Sequence, residues 1–275
     1  MITIDYHSHH YRCGHAQGNI EDYIKAGINK GLTEIGISDH APIYWMDGND
    51  PLPTIAMAKN ELDGYVEEVL RLKDKYAGQI AVRLGIESDY IEDMDETYAK
   101  VFEKYPFDYV IGSVHHVSKI NVFERSRWTS GVKALDVYRE YYRLVAKSAQ
   151  SGLFDILAHT SAILAYAPQP FPADLPDVQD EALAAIAAAG ALIEVNTSGY
   201  RKMTIDPFPT ARMVEKAAEL GIPMTFSSDC HRPDEVGYAR DKIEAILVRA
   251  GVTQLGTFAN RQRIMIPFAA TTVLC

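Results

Sequence analysis

Seven short apolar runs, each ending in or close to a polar or metal-binding residue, constrain this chain more than any other feature. The runs are Ile2–Tyr6, Glu34–Ser38, Ala81–Glu87, Tyr109–Ser113, Asp155–Ala158, Ala191–Asn196 and Pro223–Ser227. They are continuous and rich in Ile, Val and Leu, the pattern of strands buried on both faces of a parallel sheet. Amphipathic stretches separate them. Asn19 is placed to cap a helix that ends at Gly31, with Asp22 at the third position. Ala58–Tyr76 sets Leu62, Tyr65, Val66, Val69 and Leu72 on one helical face. Further helices are expected over Leu135–Ser151, Asp177–Ala189, Pro209–Leu220 and Asp234–Ala250.

Strand and helix thus alternate, which predicts a parallel α/β fold. No linker or internal repeat divides the 275 residues. The expectation is one domain over residues 1–268: a distorted TIM-like barrel of seven β/α units, followed by a short apolar tail over 269–275. The Pro-rich stretches Ala41–Pro53 and Ala167–Pro176 are long for α/β connections, which makes them candidate lids or substrate walls.

The nine histidines cluster at the ends of these runs. His7, His9, His10 and His15 follow the first run, His40 the second, His115 and His116 the fourth, His159 the fifth and His231 the seventh. The third ends in Glu87, the sixth in Asn196 with Arg201 beyond, and Asp229 precedes His231. Barrel enzymes build their sites at the carboxyl ends of strands. Any one such histidine is more often a hydrogen-bonded structural residue than a ligand. Their convergence on one rim points instead to metal binding. Nine imidazoles from separate segments exceed one tetrahedral site, so several ions bridged by carboxylates are expected, and imidazole with carboxylate suits Zn, Mn or Fe. His10 and His116 are expected to be non-ligands, since neighbouring residues on a strand face opposite ways. Asp39 is read as a supporting group that orients a ligand imidazole, with Asp5 similar. Cys13 and Cys230 are read as small packing residues.

These segments carry a family resemblance. Asp5-Tyr-His-Ser-His-His-Tyr-Arg-Cys-Gly-His15, Ile37-Ser-Asp-His-Ala-Pro42, Gly85-Ile-Glu-Ser-Asp-Tyr90, Asp108-Tyr-Val-Ile-Gly-Ser-Val-His-His116, Asn196-Thr-Ser-Gly-Tyr-Arg-Lys202 and Ser228-Asp-Cys-His-Arg-Pro233 together resemble the PHP (polymerase and histidinol phosphatase) superfamily, in its histidinol-phosphatase branch. The resemblance implies three divalent ions. One would take His7, His9, Glu87 and Asp229; a second would share Glu87 and take His115 and His159; a third would take His15, His40 and His231. It implies a phosphomonoesterase acting on L-histidinol phosphate in histidine biosynthesis, with a hydroxide between two ions attacking phosphorus. Asp229, Arg201 and His231 would be the catalytic residues, Asp229 as acceptor of the nucleophile's proton. Arg201 would bind phosphate through its guanidinium fork, with Arg232 and Arg12 as further candidates.

The chain departs from the branch after His159, where a basic residue that holds phosphate is usual. No Lys or Arg lies between Gly152 and Tyr200. Arg12, Lys119, Arg125, Arg127 and Lys202 are the candidate replacements. Alternatives are a PHP phosphatase or phosphodiesterase acting on another small ester, such as a nucleotide or sugar phosphate, and a non-catalytic metal-binding PHP module. An amidohydrolase is disfavoured by the Ser228-Asp-Cys-His231 ending.

Composition narrows the partners. A net charge of −10, with no basic run longer than two residues, argues against a nucleic-acid polymer or an anionic membrane. Three cysteines without framework spacing suit a reducing compartment. The expected state is a cytoplasmic monomer or small homo-oligomer with a small-molecule substrate, and no signal segment or membrane span is expected.

Overall fold

The computed structural model describes residues 1–117, 120–128, 133–202 and 204–268. All seven apolar runs form strands. β1 (Ile4–Asp5), β2 (Glu34–Ile37) and β3 (Ala81–Leu84) pair in parallel in that order. β4 (Glu87–Asp89) opens a second parallel sheet, in which it is followed by β5 (Ile111–Ser113). A small antiparallel hairpin, β6 (His116–Val117) and β7 (Ile120–Asn121), comes next in the chain. The second sheet is completed by β8 (Ile156–Leu157), β9 (Leu192–Asn196) and β10 (Met224–Ser227), in the order β4-β5-β8-β9-β10. The protein is therefore an α/β fold with parallel sheets.

The two sheets run into each other at both ends. Tyr6 donates its backbone N–H to the Phe226 carbonyl (3.2 Å), and Ser8 bridges Cys230 in parallel, so β1 lies beside β10. At the other end His40 bridges Glu87, and the Glu87 N–H donates to the Asp39 carbonyl (3.1 Å). The third apolar run, read as one strand over 81–87, is split into β3 and β4 because its first half pairs with β2 and its second with β5. Gly85 lies at the split. A Cβ there would come within 2.2 Å of the Tyr109 ring, and one on Gly36 within 2.0 Å of the Tyr109 hydroxyl. That hydroxyl donates to the Tyr6 carbonyl (2.7 Å), and Tyr65 donates to the carbonyls of Ile37 (2.9 Å) and Gly85 (2.7 Å). Two buried tyrosines thus fill the interior and place their hydroxyls on backbone carbonyls, so that neither hydroxyl is buried unpaired.

Helices connect the strands. α1 (Ile20–Asn29) starts at the Asn19–Asp22 capping box. α2 (Leu62–Lys75) buries Leu62, Tyr65, Val66, Val69 and Leu72, and a 3-10 turn over Lys59–Glu61 precedes it. α3 (Asp95–Lys104) has no counterpart among the expected helices. α4 (Ala134–Ser151) and α5 (Leu175–Ala189) each stop at a glycine in the left-handed region, Gly152 (φ 66°) and Gly190 (φ 67°). α6 (Ala211–Glu219) is capped by the Thr210 side chain, which accepts from the Met213 N–H. The helix expected over 234–250 is shorter, α7 (Arg240–Arg249). A 3-10 turn and left-handed Gly237 (φ 64°) and Ala239 (φ 51°) come first, held by Asp5, which accepts from the Gly237 N–H (2.8 Å).

An antiparallel hairpin, β11 (Gln254–Ala259) and β12 (Gln262–Pro267), ends the described chain. Asp108 ties it down, accepting from the Asn260 N–H (3.2 Å), the Leu84 N–H (2.9 Å) and Lys73 (2.7 Å). The expected apolar tail over 269–275 lies outside the described residues. No helix among the described residues is long and apolar enough to cross a membrane.

Candidate metal centre

Eight of the nine ligand candidates sit close to the carboxyl end of a strand, and His15 lies in the loop after β1, beyond a 3-10 turn. His7 and His9 extend β1, His40 follows β2, Glu87 opens β4, His115 follows β5, His159 follows β8, and Asp229 and His231 follow β10. The structure brings all nine predicted ligands together. His15, His40, Glu87, His115, His159, Asp229 and His231 line one cavity of about 470 Å³. His7 and His9 are buried beneath it.

Glu87 stands at the centre. Its Oε2 lies 2.8 Å from His40 Nδ1, 3.4 Å from His7 Nε2 and 3.5 Å from His9 Nε2. Its Oε1 lies 3.2 Å from His159 Nε2 and 3.5 Å from His115 Nε2. Asp229 Oδ1 lies 3.2 Å from His9 Nε2 and 3.9 Å from His7 Nε2. Two pairs of imidazole nitrogens also converge, His115 and His159 at 3.2 Å, and His15 and His231 at 3.0 Å.

This donor set fits divalent ions. Tetrahedral coordination at 2.0–2.1 Å places ligand atoms roughly 3.3 Å apart, close to the separations just given. Donor atoms lie within 4.8 Å of one another in three groups made only of predicted ligands: His7, His9 and Asp229; His9, His40 and His231; and His40, Glu87 and His115. Buried His7 Nε2, His9 Nε2 and Glu87 Oε2 make no hydrogen bond within the protein, and buried polar atoms seldom go unpaired.

The protonation states suit ligation as well. Burial acts to raise the carboxyls, but the surrounding imidazoles outweigh it and hold Glu87 and Asp229 well below the usual range. Burial and the neighbouring imidazoles push His15 down to about 4 and His231 well below its ordinary value. For His9 burial acts downward, yet the carboxylates of Asp229 and Asp39 beside it raise it to about 9.

A ring of carboxylates orients the imidazoles from behind. Asp39 Oδ1 faces His9 Nδ1 at 3.3 Å and accepts from the His40 N–H (2.9 Å). Glu194 and Asp89 do the same for His7 (2.9 Å) and His115 (2.9 Å), and sequence reasoning assigned neither. Their spacing was the available signal. Asp89 lies two residues after Glu87, and Glu194 two before Asn196, so each shares a strand face with a site residue. Such partners fix the tautomer, and their loss typically costs 10- to 100-fold in metal affinity.

Two ligand residues adopt left-handed backbone, His159 (φ 26°) and Asp229 (φ 51°). That conformation costs about 1–3 kcal/mol in a non-glycine residue and persists only where its surroundings impose it. Glu194 accepts from the His159 N–H (2.9 Å), and Arg201 Nη2 donates to the carbonyls of Ser228 (2.8 Å) and Asp229 (2.7 Å).

Arg201 therefore underpins the Asp229 segment. Its buried Nη1 has no protein partner. None of the three arginines expected to hold phosphate lines the cavity: Arg201 is tied to the Ser228 and Asp229 carbonyls, Arg12 pairs with Glu68 (2.7 Å), and exposed Arg232 pairs with Asp234 (2.6 Å). Lys202 does line it, Lys119 falls outside the described residues, and Arg125 lies over the Tyr166 ring. His10 stacks on Tyr65 and faces Asp39 at 3.2 Å, away from the donor groups. His116 meets Trp45 edge-on and lies 3.7 Å from Asp89. Cys13 falls beside His9 and Asp39, but its thiol donates to the His10 carbonyl (3.2 Å), and burial pushes its pKa up, away from the thiolate a metal would need.

Of the two loops expected to wall the site, residues 167–169 and 171 line a separate cavity of about 800 Å³ with Trp128, Tyr166 and Phe208. The Pro53 carbonyl packs against Gly14, and Ile55, just past that loop, walls the metal cavity.

Comparison with known proteins decides the family. Residues 5–198 match the PHP domain, and residues 211–248 match the PHP-associated region. The chain belongs to the PHP family. Within it the relatives lie in the histidinol-phosphatase branch. A Deinococcus radiodurans protein named "Probable histidinol-phosphatase" is 34% identical over 265 residues, covering 94% of this chain and 97% of its own length. The histidinol-phosphatase of Bacillus subtilis is 28% identical, covering 90% of this chain and all of its own. Among solved structures, the histidinol phosphate phosphatase of Lactococcus lactis, complexed with Zn, L-histidinol and phosphate, superposes with a TM-score of 0.82 at 21% identity. It covers 95% of this chain and 98% of its own. That PHP fold is shared by this chain.

Proposed function

We propose that this chain is a metal-dependent phosphomonoesterase that hydrolyses L-histidinol phosphate to L-histidinol and phosphate. The observation that carries the reading is Glu87, whose two oxygens face two different sets of imidazoles at 2.8–3.5 Å, as a carboxylate shared between two ions would. The relatives supply the substrate. The continuity of β10 with β1 and of β2 with β4 supports a closed, distorted (β/α)7 barrel formed by residues 1–268 as one domain. A cytoplasmic monomer or small homo-oligomer suits the acidic, cysteine-poor chain.

Three divalent ions, Zn, Mn or Fe, fit the donors: one on His7, His9, Glu87 and Asp229, one on Glu87, His115 and His159, and one on His15, His40 and His231. When bound, such ions make water available as hydroxide near neutral pH and offset phosphoryl charge. The chain's own groups do the rest. Glu194, Asp39 and Asp89 hold the imidazoles in position. Asp229, ionised throughout the physiological range, is placed to take the proton of the attacking water. Arg201 keeps the Asp229 segment in its left-handed turn from outside the cavity lining, so any phosphate contact would require its buried, unpartnered Nη1 to turn towards the cavity. His231 and His15 close the outer side of the cavity, while Ile55 and Phe123 give it apolar walls.

The test is phosphate release from L-histidinol phosphate, nucleoside monophosphates and sugar phosphates by metal-analysed protein, with His9→Ala as the control. Turnover of histidinol phosphate well above the other esters, lost in the control, is the expected result. Preference for another ester would reassign the substrate. A metal-loaded protein inert on the whole panel would overturn the phosphatase reading.

A further inference from the structure

The cavity over the metal centre is rich in negative charge. Besides the ligands Glu87 and Asp229 it is lined by Glu124, and among its described lining residues Lys202 is the single lysine or arginine. Lys202 follows the turn that leaves β9. Its backbone N–H donates to the carbonyls of Ser198 and Gly199 (3.1 Å each), which fixes the root of the side chain. Its ammonium rests 4.6 Å from the centre of the Phe123 ring. That ring lies 6.0 Å from the rings of both His115 and His159, and all four residues line the same cavity.

Lys202 forms no ion pair among the described residues, although Glu124 lines the same cavity. Glu124 instead accepts from the Ser126 hydroxyl. Lysine ammonium groups beside acidic side chains normally pair with them. Here the strongest contact is an aromatic face, worth only about 0.5–1 kcal/mol at an exposed site. A phosphate oxygen offers a charge-assisted hydrogen bond in its place.

We propose that Lys202 binds the phosphoryl group of the substrate and of the product phosphate, with Phe123 as the surface on which its ammonium rests when the cavity holds no phosphate. The proposal deepens the phosphatase reading and depends on it for the substrate. Arg201, one residue earlier, differs in that its Nη2 is committed to two backbone carbonyls. Lys202 has no such tie.

The experiment compares wild type, Lys202→Met and Lys202→Arg, each loaded with metal and analysed for ion content. Calorimetry measures the affinity for inorganic phosphate, and steady-state kinetics measures KM and kcat for the ester. Lys202→Met is expected to weaken phosphate binding and raise KM roughly 10- to 100-fold, with ion content and inhibition by L-histidinol unchanged. Lys202→Arg should recover most of the phosphate affinity. Phosphate affinity within twofold of wild type in Lys202→Met would overturn the proposal, as would a wild-type protein that binds no phosphate. If wild type binds phosphate through Lys202 yet hydrolyses no monoester, the phosphatase reading falls and the anion site stands.

Discussion

Glu194 Oε2 lies 2.9 Å from His7 Nδ1, and Oε1 of the same carboxylate accepts from the backbone N–H of His159 at 2.9 Å. One buried side chain on β9 thus fixes ligands that follow β1 and β8. With Glu194 ionised, His7 keeps a proton on Nδ1, which leaves Nε2, beside Glu87 and Asp229, as the nitrogen an ion would take once its own proton is displaced. Glu194→Ala should lower metal affinity 10- to 100-fold, read by competition with a chelator. An unchanged affinity would show that His7 is held by packing alone.

Glu87 makes a sharper prediction, because it faces both sets of imidazoles. Glu87→Ala should remove more than one equivalent of metal per chain and lower kcat at least 100-fold, by elemental analysis and initial rates. Loss of only one equivalent would assign Glu87 to a single ion.

Gly14 sits between Cys13 and His15 with φ 80°, and a Cβ there would lie 2.0 Å from the Pro53 carbonyl oxygen. Neither the backbone angle nor the space admits a side chain. Gly14→Ala should displace His15 and selectively empty the ion of His15, His40 and His231, leaving the other ions bound. Full metal content in a folded Gly14→Ala protein would refute this.

The raised pKa values of His9 and His7, both beside buried carboxylates, set a pH dependence. A group whose folded pKa lies above its unfolded value stabilises the metal-free fold fully below about pH 6.5. That contribution is lost as pH rises through about 9. Ions compete with the same protons, so metal uptake near neutral pH should release protons, and apparent affinity should climb across this window. The metal-induced gain in Tm should therefore be larger at about pH 8.5 than at about pH 6.5, by scanning fluorimetry. No proton release in weak buffer would show both imidazoles already neutral in the metal-free protein.

Much of this architecture is legible in the sequence, because strands buried on both faces leave uninterrupted apolar runs. β12 leaves no such run. It is largely exposed, and its residues mix Gln262 and Arg263 with Ile264 and Ile266. α3 escapes because only Tyr98 and Phe102 of its ten residues are buried, which is too narrow a stripe to announce a helix. The ligands stand out because histidine is scarce elsewhere in the chain. The carboxylates behind them do not, since Asp89 and Glu194 look like any other acidic residue until the fold turns an imidazole towards them. Arg201 was legible by position and not by contact: nothing in the sequence announces that its guanidinium holds the carbonyl of a strained aspartate.

The pairing of Ser8 with Cys230 also bears on how the centre comes into being during synthesis. The His-Ser-His segment leaves the ribosome first, and Asp229 and His231 emerge more than two hundred residues later. Until β10 docks beside β1, no ion can find the donors of the finished centre. Contacts this distant in sequence form late and slowly. Loading of the full centre thus waits for that docking, and an ion captured early by the first two imidazoles would have to be handed on as the later donors arrive.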